Sequence, residues 1–162
     1  DEVDLALERH QRFVALVKQI AHQLRQHLNG MLGLFGVDID VQIDVDLPRQ
    51  LPKVMIPPLL LITFVENAFK HGVSYEHPSF IEVKVEPSDD GGVCFSCRNS
   101  MKSTIDDKPG GVGLRNATKR LRLLYGDPCQ LSIQSDAAEY RVRLQLPPYT
   151  LGTSNPDNNI LQ

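Results

Sequence analysis

Polar side chains crowd the end of an apolar segment at residues 65–72, which read VENAFKHG. In a helix, the spacing i, i+3, i+4 and i+7 puts four of them on one side: Thr63, Glu66, Asn67 and Lys70, with His71 one turn beyond Asn67. The amide oxygen of Asn67 suits a hard cation such as Mg²⁺, and Lys70 could pair with phosphate. Glu66 could hold a metal-bound water or act as a base. Taken alone, however, the stripe is better explained as a solvated helix face.

A glycine-rich turn lies at residues 110–116, GGVGLRN, directly ahead of a helical pattern. Glycine lets a backbone approach an anion closely, and a helix N-terminus offers free N–H groups and the positive end of its dipole. The turn matches neither the dinucleotide-binding pattern G-x-G-x-x-G nor a Walker A loop. By itself it could be no more than a flexible entry into a helix.

A polar stretch without periodicity, residues 100–109, immediately precedes those glycines. A segment of this length inside a compact domain is often a lid or a binding loop. The order of polar-stripe helix, strand pair, lid, glycine-rich turn and second helix is far more specific than any one of its parts. We therefore expect residues 100–110 to form a lid beside a binding site.

Two helices and five strands are predicted to position these residues. Strict alternation predicts a strand over 37–46, with valine and isoleucine on one face and mostly aspartate on the other. Pro58 can open the first helix, and Gly72 can close it as a C′ residue. The remaining elements are strands at 80–86, 93–99, 130–135 and 139–146 and a helix over 114–125 that stops at Gly126. This order predicts an α+β fold, a two-layer α/β sandwich with helices on one face of a mixed sheet.

The ends of the chain have a different character. Apolar residues spaced by three and four predict a helix over 4–28, with the narrow stripe that packs on a partner helix. Glycines in the segment 29–36 are expected to end it. We expect an N-terminal helix within 1–30, a globular domain over 31–148 and a flexible tail over 149–162.

Composition excludes several classes of protein. A net charge of −3 argues against nucleic-acid binding, and no apolar run reaches the roughly 18 residues of a membrane span. The first residue is Asp rather than Met, so we expect a piece of a longer protein. Three cysteines suit a reducing compartment. Strand alternation would send Cys94 and Cys97 to opposite faces, which disfavours a metal site at this CxxC spacing.

The order of these elements resembles the ATP-binding domain of the GHKL superfamily, which holds histidine kinases, gyrase, Hsp90 and MutL-type ATPases. VENAFKHG looks like the N box of that family, and GGVGLRN looks like its second glycine box. The continuation RNATKRLRLLYG, following PPLLLITFVENAFKHG, is similar to sensor histidine kinases of the LytS type. The resemblance covers about residues 50–146 and implies a Bergerat-type ATP-binding fold.

The resemblance also implies roles for individual residues. Asn67 would coordinate a Mg²⁺ ion that bridges the nucleotide phosphates, and Glu66 would assist phosphoryl transfer, which makes these two the expected catalytic residues. The nucleotide would be bound by the N box, the end of a strand and the glycine box: Asn67, Lys70, His71, Gly72, Asn99, Gly110, Gly111, Val112, Gly113 and Leu114.

Two departures from the family pattern stand out. In the usual DxGxG box an Asp accepts a hydrogen bond from the adenine amino group, and here Asn99, in CRNSM, takes its place. An Asn carbonyl can still accept that bond, although without the charge. The expected phosphoacceptor motif is not matched by AHQLRQHLNG, so neither His22 nor His27 is assigned as the acceptor.

The resemblance implies ATP and Mg²⁺ as cofactors of the catalytic domain of a two-component sensor histidine kinase. Its γ-phosphoryl group would pass to a histidine upstream of this sequence and then to a response regulator. Residues 1–30 would end the dimerisation region of a homodimeric parent anchored at the cytoplasmic face of a membrane. The alternatives are a non-catalytic nucleotide-binding or docking module (a pseudokinase), suggested by the altered box, and a MutL-like ATPase, which the LytS-like continuation disfavours.

Overall fold

The computed structural model describes residues 39–48, 52, 58–101, 112–126 and 130–148, with scattered positions between 8 and 36. Within these residues one sheet has the order β1-β2-β3-β5-β4. Its strands are β1 (Val41–Asp46), β2 (Ser79–Pro87), β3 (Val93–Ser100), β4 (Gln130–Ser135) and β5 (Glu139–Leu146), and the helices are α1 (Pro58–Gly72) and α2 (Val112–Tyr125). Strands β1 and β2 are parallel and the other pairs are antiparallel. The predicted α+β fold with a mixed sheet is confirmed.

The core lies between the two helices and one face of the sheet. Alternate residues of β2, β3 and β5 are fully buried there, because successive strand side chains point to opposite faces. Phe64 of α1 packs on Phe95 of β3 with ring centroids 6.1 Å apart. Leu114, Ala117 and Leu121 of α2 belong to the same buried cluster. Each such side chain contributes about 1.5–3 kcal/mol of hydrophobic stabilisation, so this face holds the two helices in place.

The start of β1 was wrongly predicted. The strand begins at Val41 rather than at residue 37, because its parallel partner β2 begins at Ser79, which pairs with Val41. The backbone N–H of Ser79 donates to the carbonyl of Asp40 and completes the ladder, so Ile39 and Asp40 precede the strand, and residues 37 and 38 lie outside the described residues. The predicted alternation is present from Val41 onward, with one face half-buried and the other exposed.

The end of α1 is defined by packing rather than by a left-handed cap. Gly72 was expected to be a C′ residue, but it is the last helical residue and its φ is not positive. A Cβ atom at Gly72 would lie 2.6 Å from the Cβ of Asn99 on β3. Glycine is therefore needed here because the helix end touches the strand, which the sequence pattern did not reveal.

Helix α2 begins two residues before the predicted start at residue 114, so Val112 and Gly113 form its first turn. Its predicted stop is confirmed: Gly126 has a φ of 62°, in the left-handed region that glycine adopts without strain. The N–H of Gly126 donates to the carbonyl of Arg122 at 2.8 Å and so satisfies one of the carbonyl groups at the helix end.

Strand β3 sends its two cysteines to opposite faces, as predicted. Cys97 faces the helices, and its thiol lies 3.9 Å from the carbonyl oxygen of Phe64. Burial raises the pKa of the Cys97 thiol to about 12, so it is a neutral core side chain. Cys94 is also buried and has a free thiol.

The described positions between 8 and 26 are helical and exposed, as expected for the outer face of an N-terminal helix. Leu34 is also helical, inside the segment where glycines were predicted to end that helix. The division into 1–30, 31–148 and 149–162 stays a prediction. None of the helices in the described part of the chain has the length and hydropathy of a membrane-spanning segment.

The face of the sheet away from the helices carries a charge network centred on Glu139. The Glu139 carboxylate pairs with Arg98 and, at 2.7 Å, with Arg141, while Arg98 also contacts Glu82 at 3.3 Å. Hydrogen bonds from Arg141 and Arg98 lower the pKa of Glu139 to about 2. The network ties β5 to β3 and β2 on the polar face.

Replacing Glu139 with glutamine should destabilise the fold in a pH-dependent way. The folded pKa of Glu139 is lower than its ordinary value of 4.5, so its stabilisation is complete above that value and is lost as pH falls toward about 2. We expect a loss of about 1 kcal/mol at neutral pH, since both arginines are partly exposed and solvent screens the pairs. Urea unfolding across this pH range should show the gap between wild type and variant closing on acidification. Glu86→Gln, which removes an exposed partner of Lys84, is the control, and a gap that persists in acid would contradict the assignment.

Replacing Gly72 with alanine should destabilise the fold by about 1–3 kcal/mol, because the new methyl group would overlap Asn99 on the central strand β3. Gly113→Ala is the matched control, since its Cβ would meet Thr63 Cγ2 at an ordinary 3.7 Å. We expect the control to change stability by less than about 0.5 kcal/mol. Urea unfolding midpoints measure both, and equal midpoints would show that Gly72 and Asn99 are not in close contact.

Candidate functional site

The polar stripe of α1 divides into two rows. Glu66 and Lys70 are exposed, whereas Thr63, Asn67 and His71 are half-buried. The half-buried residues are spaced by four, so they follow one line along the helix, between the exposed row and the buried side. The solvated-face interpretation therefore accounts for Glu66 and Lys70, and Asn67 and His71 lie closer to the rest of the molecule.

Two close approaches determine where this row points. At the α2 side, Thr63 lies against Gly113, whose Cβ position is 3.7 Å from Thr63 Cγ2. At the other end of the row, Gly72 lies against Asn99. Asn67 is one turn beyond Thr63 and just over one turn before Gly72, so it lies between the start of α2 and the end of β3. The fold thus brings together the three predicted parts of the site: the N-box helix, the residue in place of the family's Asp and the glycine-led helix.

Asn99 carries an unused hydrogen-bond acceptor. The residue is only 1% exposed, and its Nδ2 donates to the carbonyl oxygen of Ser100 at 2.8 Å. Because a carbonyl oxygen can only accept, the amide nitrogen must be the atom facing it, which leaves Oδ1 on the other side. Oδ1 is buried with no hydrogen-bond partner among the described residues. Leaving an acceptor unsatisfied costs about 1–3 kcal/mol, so a ligand that donated a hydrogen bond here would recover that energy.

The residues near Asn67 are compatible with Mg²⁺ bound chiefly by a ligand's oxygens. In the described part of the chain, no group of three or more His, Cys, Asp or Glu side chains could hold a metal. Mg²⁺ is commonly bound by one or two protein oxygens together with waters and substrate phosphates. The half-buried amide of Asn67 can supply one such oxygen. The start of α2, whose positive dipole end can attract phosphate, lies against Thr63, one helical turn before Asn67.

Some predicted site residues cannot be placed. Gly110, Gly111 and the predicted lid over 100–110, beyond Met101, lie outside the described residues. Of the rest of the glycine box, Val112 is 64% exposed, Gly113 faces α1 and Leu114 is buried in the core. Their roles as nucleotide-binding residues, like those of Lys70 and His71, stay predictions.

One residue that the sequence interpretation missed is Tyr140, the strand partner of Asn99 on β5. It is 3% exposed, and its hydroxyl has no hydrogen-bond partner in the described part of the chain. Burial raises the pKa of this hydroxyl to about 12. Alternation along EYRVRLQL could have placed Tyr140 on the helix-facing side, but its pairing with Asn99 depends on the register of β3 and β5.

Comparison with known proteins gives a consistent relationship, although no family model matches the chain. The sensor histidine kinase BtsS of Escherichia coli strain K12 is 28% identical over 156 residues, which cover 87% of this chain and 25% of BtsS. BtsS of Shigella flexneri matches to the same extent. The chain therefore spans about a quarter of the length of the curated relatives it matches.

Solved structures show the same fold. The catalytic domain of histidine kinase ThkA, in a nucleotide-free form, has a TM-score of 0.53 and 15% identity, with 86% of this chain and 90% of ThkA's chain covered. The histidine kinase domain of the blue-light activated kinase from Erythrobacter litoralis EL346 has a TM-score of 0.50 and 13% identity, with 88% and 79% covered. By sequence the chain is similar to sensor histidine kinases, and by fold it is similar to the catalytic domains of histidine kinases.

Proposed function

We propose that this chain is the ATP-binding catalytic domain of a two-component sensor histidine kinase of the LytS type. The observation that supports the proposal is the buried Oδ1 of Asn99, which has no hydrogen-bond partner among the described residues and stands where the resemblance to the family would put the adenine amino group. The exocyclic amino group of adenine is a hydrogen-bond donor, and Oδ1 is an acceptor without a donor among the described residues. A neutral acceptor would bind the base more weakly than a carboxylate does, because hydrogen bonds to charged groups are about twice as strong.

The N-box side chains would act on the phosphates. Asn67 would hold Mg²⁺, which neutralises phosphate charge when it is bound. Lys70 and His71, both in the last turn of α1, would bind phosphate or ribose oxygens. Phosphoryl transfer depends mainly on positioning and charge neutralisation, so such a set is chemically sufficient. Exposed Glu66 would assist by accepting a proton from the attacking histidine or by ordering water.

The whole protein would be longer than this chain. Its acceptor histidine would lie upstream, in a dimerisation region that the helix within 1–30 would end, and a response regulator would receive the phosphoryl group. We propose a homodimeric parent anchored at the cytoplasmic face of a membrane. The relationship to BtsS, of which this chain matches about a quarter, supports these points.

A second candidate is a nucleotide-binding docking module without kinase activity. The specific observation in its favour is the same Asn99, which replaces a charged residue with a neutral one. Nucleotide binding is common to both candidates, so a transfer assay must separate them. The chain should be joined to its upstream histidine region and incubated with ATP and Mg²⁺. Acid-labile phosphate on that region would support the kinase, and its absence after long incubation, in a protein that binds ATP, would favour the docking module.

The role of Asn67 predicts a metal-dependent loss of affinity. Asn67→Ala should weaken binding of a fluorescent ATP analogue about tenfold or more when Mg²⁺ is present, which corresponds to roughly 1.4 kcal/mol. Binding without Mg²⁺ should change little, because the residue would act through the ion. Binding measured without Mg²⁺ on the same protein is the control for binding measured with Mg²⁺. No binding of the wild type at millimolar nucleotide would refute the kinase and the docking module alike.

Gly113→Ala separates a functional glycine from a structural one. Because its Cβ would make only an ordinary contact with Thr63, folding should be preserved. The added methyl at the start of α2 should still hinder the close approach of phosphate to the backbone and weaken ATP binding several-fold. Unfolding midpoints and ATP titrations on the same samples test this, and unchanged affinity would remove Gly113 from the site.

The proposed hydrogen bond between Asn99 and the adenine amino group can be tested by removing each of the two groups separately. ATP should bind about fivefold or more tightly than purine riboside triphosphate, which lacks the amino group, in line with one hydrogen bond of about 1 kcal/mol. Asn99→Ala should bind both nucleotides equally. The cycle cancels any general loss of stability in the variant. A preference for ATP that survives in Asn99→Ala would place the amino group elsewhere.

A further inference from the structure

A second concave site lies on the other side of α2 from the polar stripe. This groove, the α2–β4 groove, has a volume of about 450 Å³ and runs between α2 and the β4–β5 hairpin. Leu114, Ile133 and Tyr140 form its apolar floor, and Arg115, Thr118 and Lys119 form the helix wall. Protein pockets that bind small molecules commonly have volumes of about 300–1,000 Å³, so the groove is large enough to hold such a ligand.

The floor exists because the sheet extends beyond its helical cover. Ile133 of β4 pairs with Val142 of β5 and shares its helix-facing side. Val142 is 2% exposed, whereas Ile133 is 39% exposed. Strand β4 is at the edge of the sheet and most of its residues are exposed. Apolar surface is therefore left open beside α2, and a ligand with an apolar body would bury it.

The helix wall carries positive charge without counter-charge. Arg115 and Lys119 are four residues apart, so their side chains are neighbours on one side of α2, where like charges repel. Neither forms an ion pair with any residue that the structure describes. Helix α2 contains no acidic residue, and none of the described residues that line the groove is acidic. In a chain of net charge −3, this pair of unneutralised cations indicates an anionic partner.

The floor also contains a polar group without a partner. Tyr140 lines the groove, and its buried hydroxyl makes no hydrogen bond to any described residue. With its pKa raised by burial, the hydroxyl stays protonated at physiological pH and can donate to a ligand. One groove is thus lined by a tyrosine whose buried hydroxyl has no partner among the described residues and by two cations that form no ion pair with them, and buried polar groups without a partner call for an explanation.

The groove is distinct from the candidate nucleotide site. Gly113 faces α1 and Thr63, whereas Arg115, Thr118 and Lys119 lie on the opposite flank of α2 by helical geometry. Leu114 separates the two flanks and is buried between them. The groove and the predicted nucleotide site therefore share only Leu114, and we expect a ligand in the groove to bind without displacing a nucleotide.

We propose that the α2–β4 groove binds a small anion with an apolar body, of the aryl or short-chain carboxylate class. The carboxylate lies between Arg115 and Lys119, and the apolar part covers Ile133 and Leu114. Of the predicted nucleotide-binding residues this site uses only Leu114, and it uses neither the N box nor Asn99.

The test compares two probes of nearly equal shape, phenylbutyrate and its neutral counterpart phenylbutanol. Both are titrated into the whole chain while NMR signals of Thr118, Ile133 and Ser135 are followed. We expect phenylbutyrate to shift these signals with a dissociation constant in the millimolar range, as is usual for such small molecules. Phenylbutanol should bind at least about tenfold more weakly, and added salt should reduce the difference. Equal binding of the two probes, or no shift at these residues, would overturn the proposal.

A pair of variants separates the groove from the general charge of the helix. Lys119→Gln removes a cation of the groove wall, and Arg120→Gln removes the adjacent, exposed cation on the other flank. Phenylbutyrate affinity should fall about fivefold or more in Lys119→Gln and stay within about twofold in Arg120→Gln, since exposed charges interact weakly at a distance. Equal losses of phenylbutyrate affinity in the two variants would show that the attraction is non-specific and would contradict the proposed site.

Two further titrations test whether the groove binds a different ligand and whether it is independent of the nucleotide site. An acidic peptide with an apolar residue that shifts the same signals when phenylbutyrate does not would reassign the groove to a protein partner and contradict the small-molecule proposal. Repeating the phenylbutyrate titration with saturating ATP and Mg²⁺ should leave its binding measurable. A protein that fails to bind ATP but binds phenylbutyrate would refute the kinase and support the groove, so the two proposals can fail separately.

Discussion

The arrangement of the candidate nucleotide site depends on one contact, between Gly72 at the end of α1 and Asn99 at the end of β3. The helix and the strand approach so closely that a methyl group would not fit between them. At its other end the polar row is held by Thr63 against the first turn of α2. A helix held at two points, with its apolar side buried in the core, cannot rotate without breaking core packing. The direction of Asn67 therefore follows from contacts that involve no ligand.

The surroundings of Asn99 explain why an amide suits position 99 better than a carboxylate. The nitrogen of the Asn99 amide is satisfied by the carbonyl of Ser100, a group that would repel a carboxylate oxygen in the same orientation. A charged group at 1% exposure would also carry a desolvation penalty. Asparagine is thus consistent with its local backbone and still leaves one acceptor open. In the proposed nucleotide site, a neutral acceptor at position 99 would make a weaker contact with the base than a carboxylate would.

Periodicity was sufficient to predict most of the fold. Helices α1 and α2 and the four strands β2 to β5 were predicted within one or two residues, because buried faces impose periods of 2 and 3.6. The beginning of β1 was missed because it depends on where β2 starts, which is a long-range constraint. The need for glycine at position 72 was attributed to a cap, whereas it arises from Asn99, which is 27 positions away in the sequence. Tyr140 and the α2–β4 groove were missed for the same reason, since both depend on strand register.

Helix α2 has two flanks with different chemistry, and this limits how the two candidate sites can communicate. One flank presents Gly113 to α1, and the other presents Arg115 and Lys119 to the groove, with buried Leu114 between them. A ligand in the groove changes nucleotide affinity only if it binds two arrangements of α2 with different free energies. Such coupling would be reciprocal, so ATP would change the affinity of the groove ligand by the same factor. Equal affinities for the groove probe with and without nucleotide would therefore mean that α2 separates the sites rather than linking them.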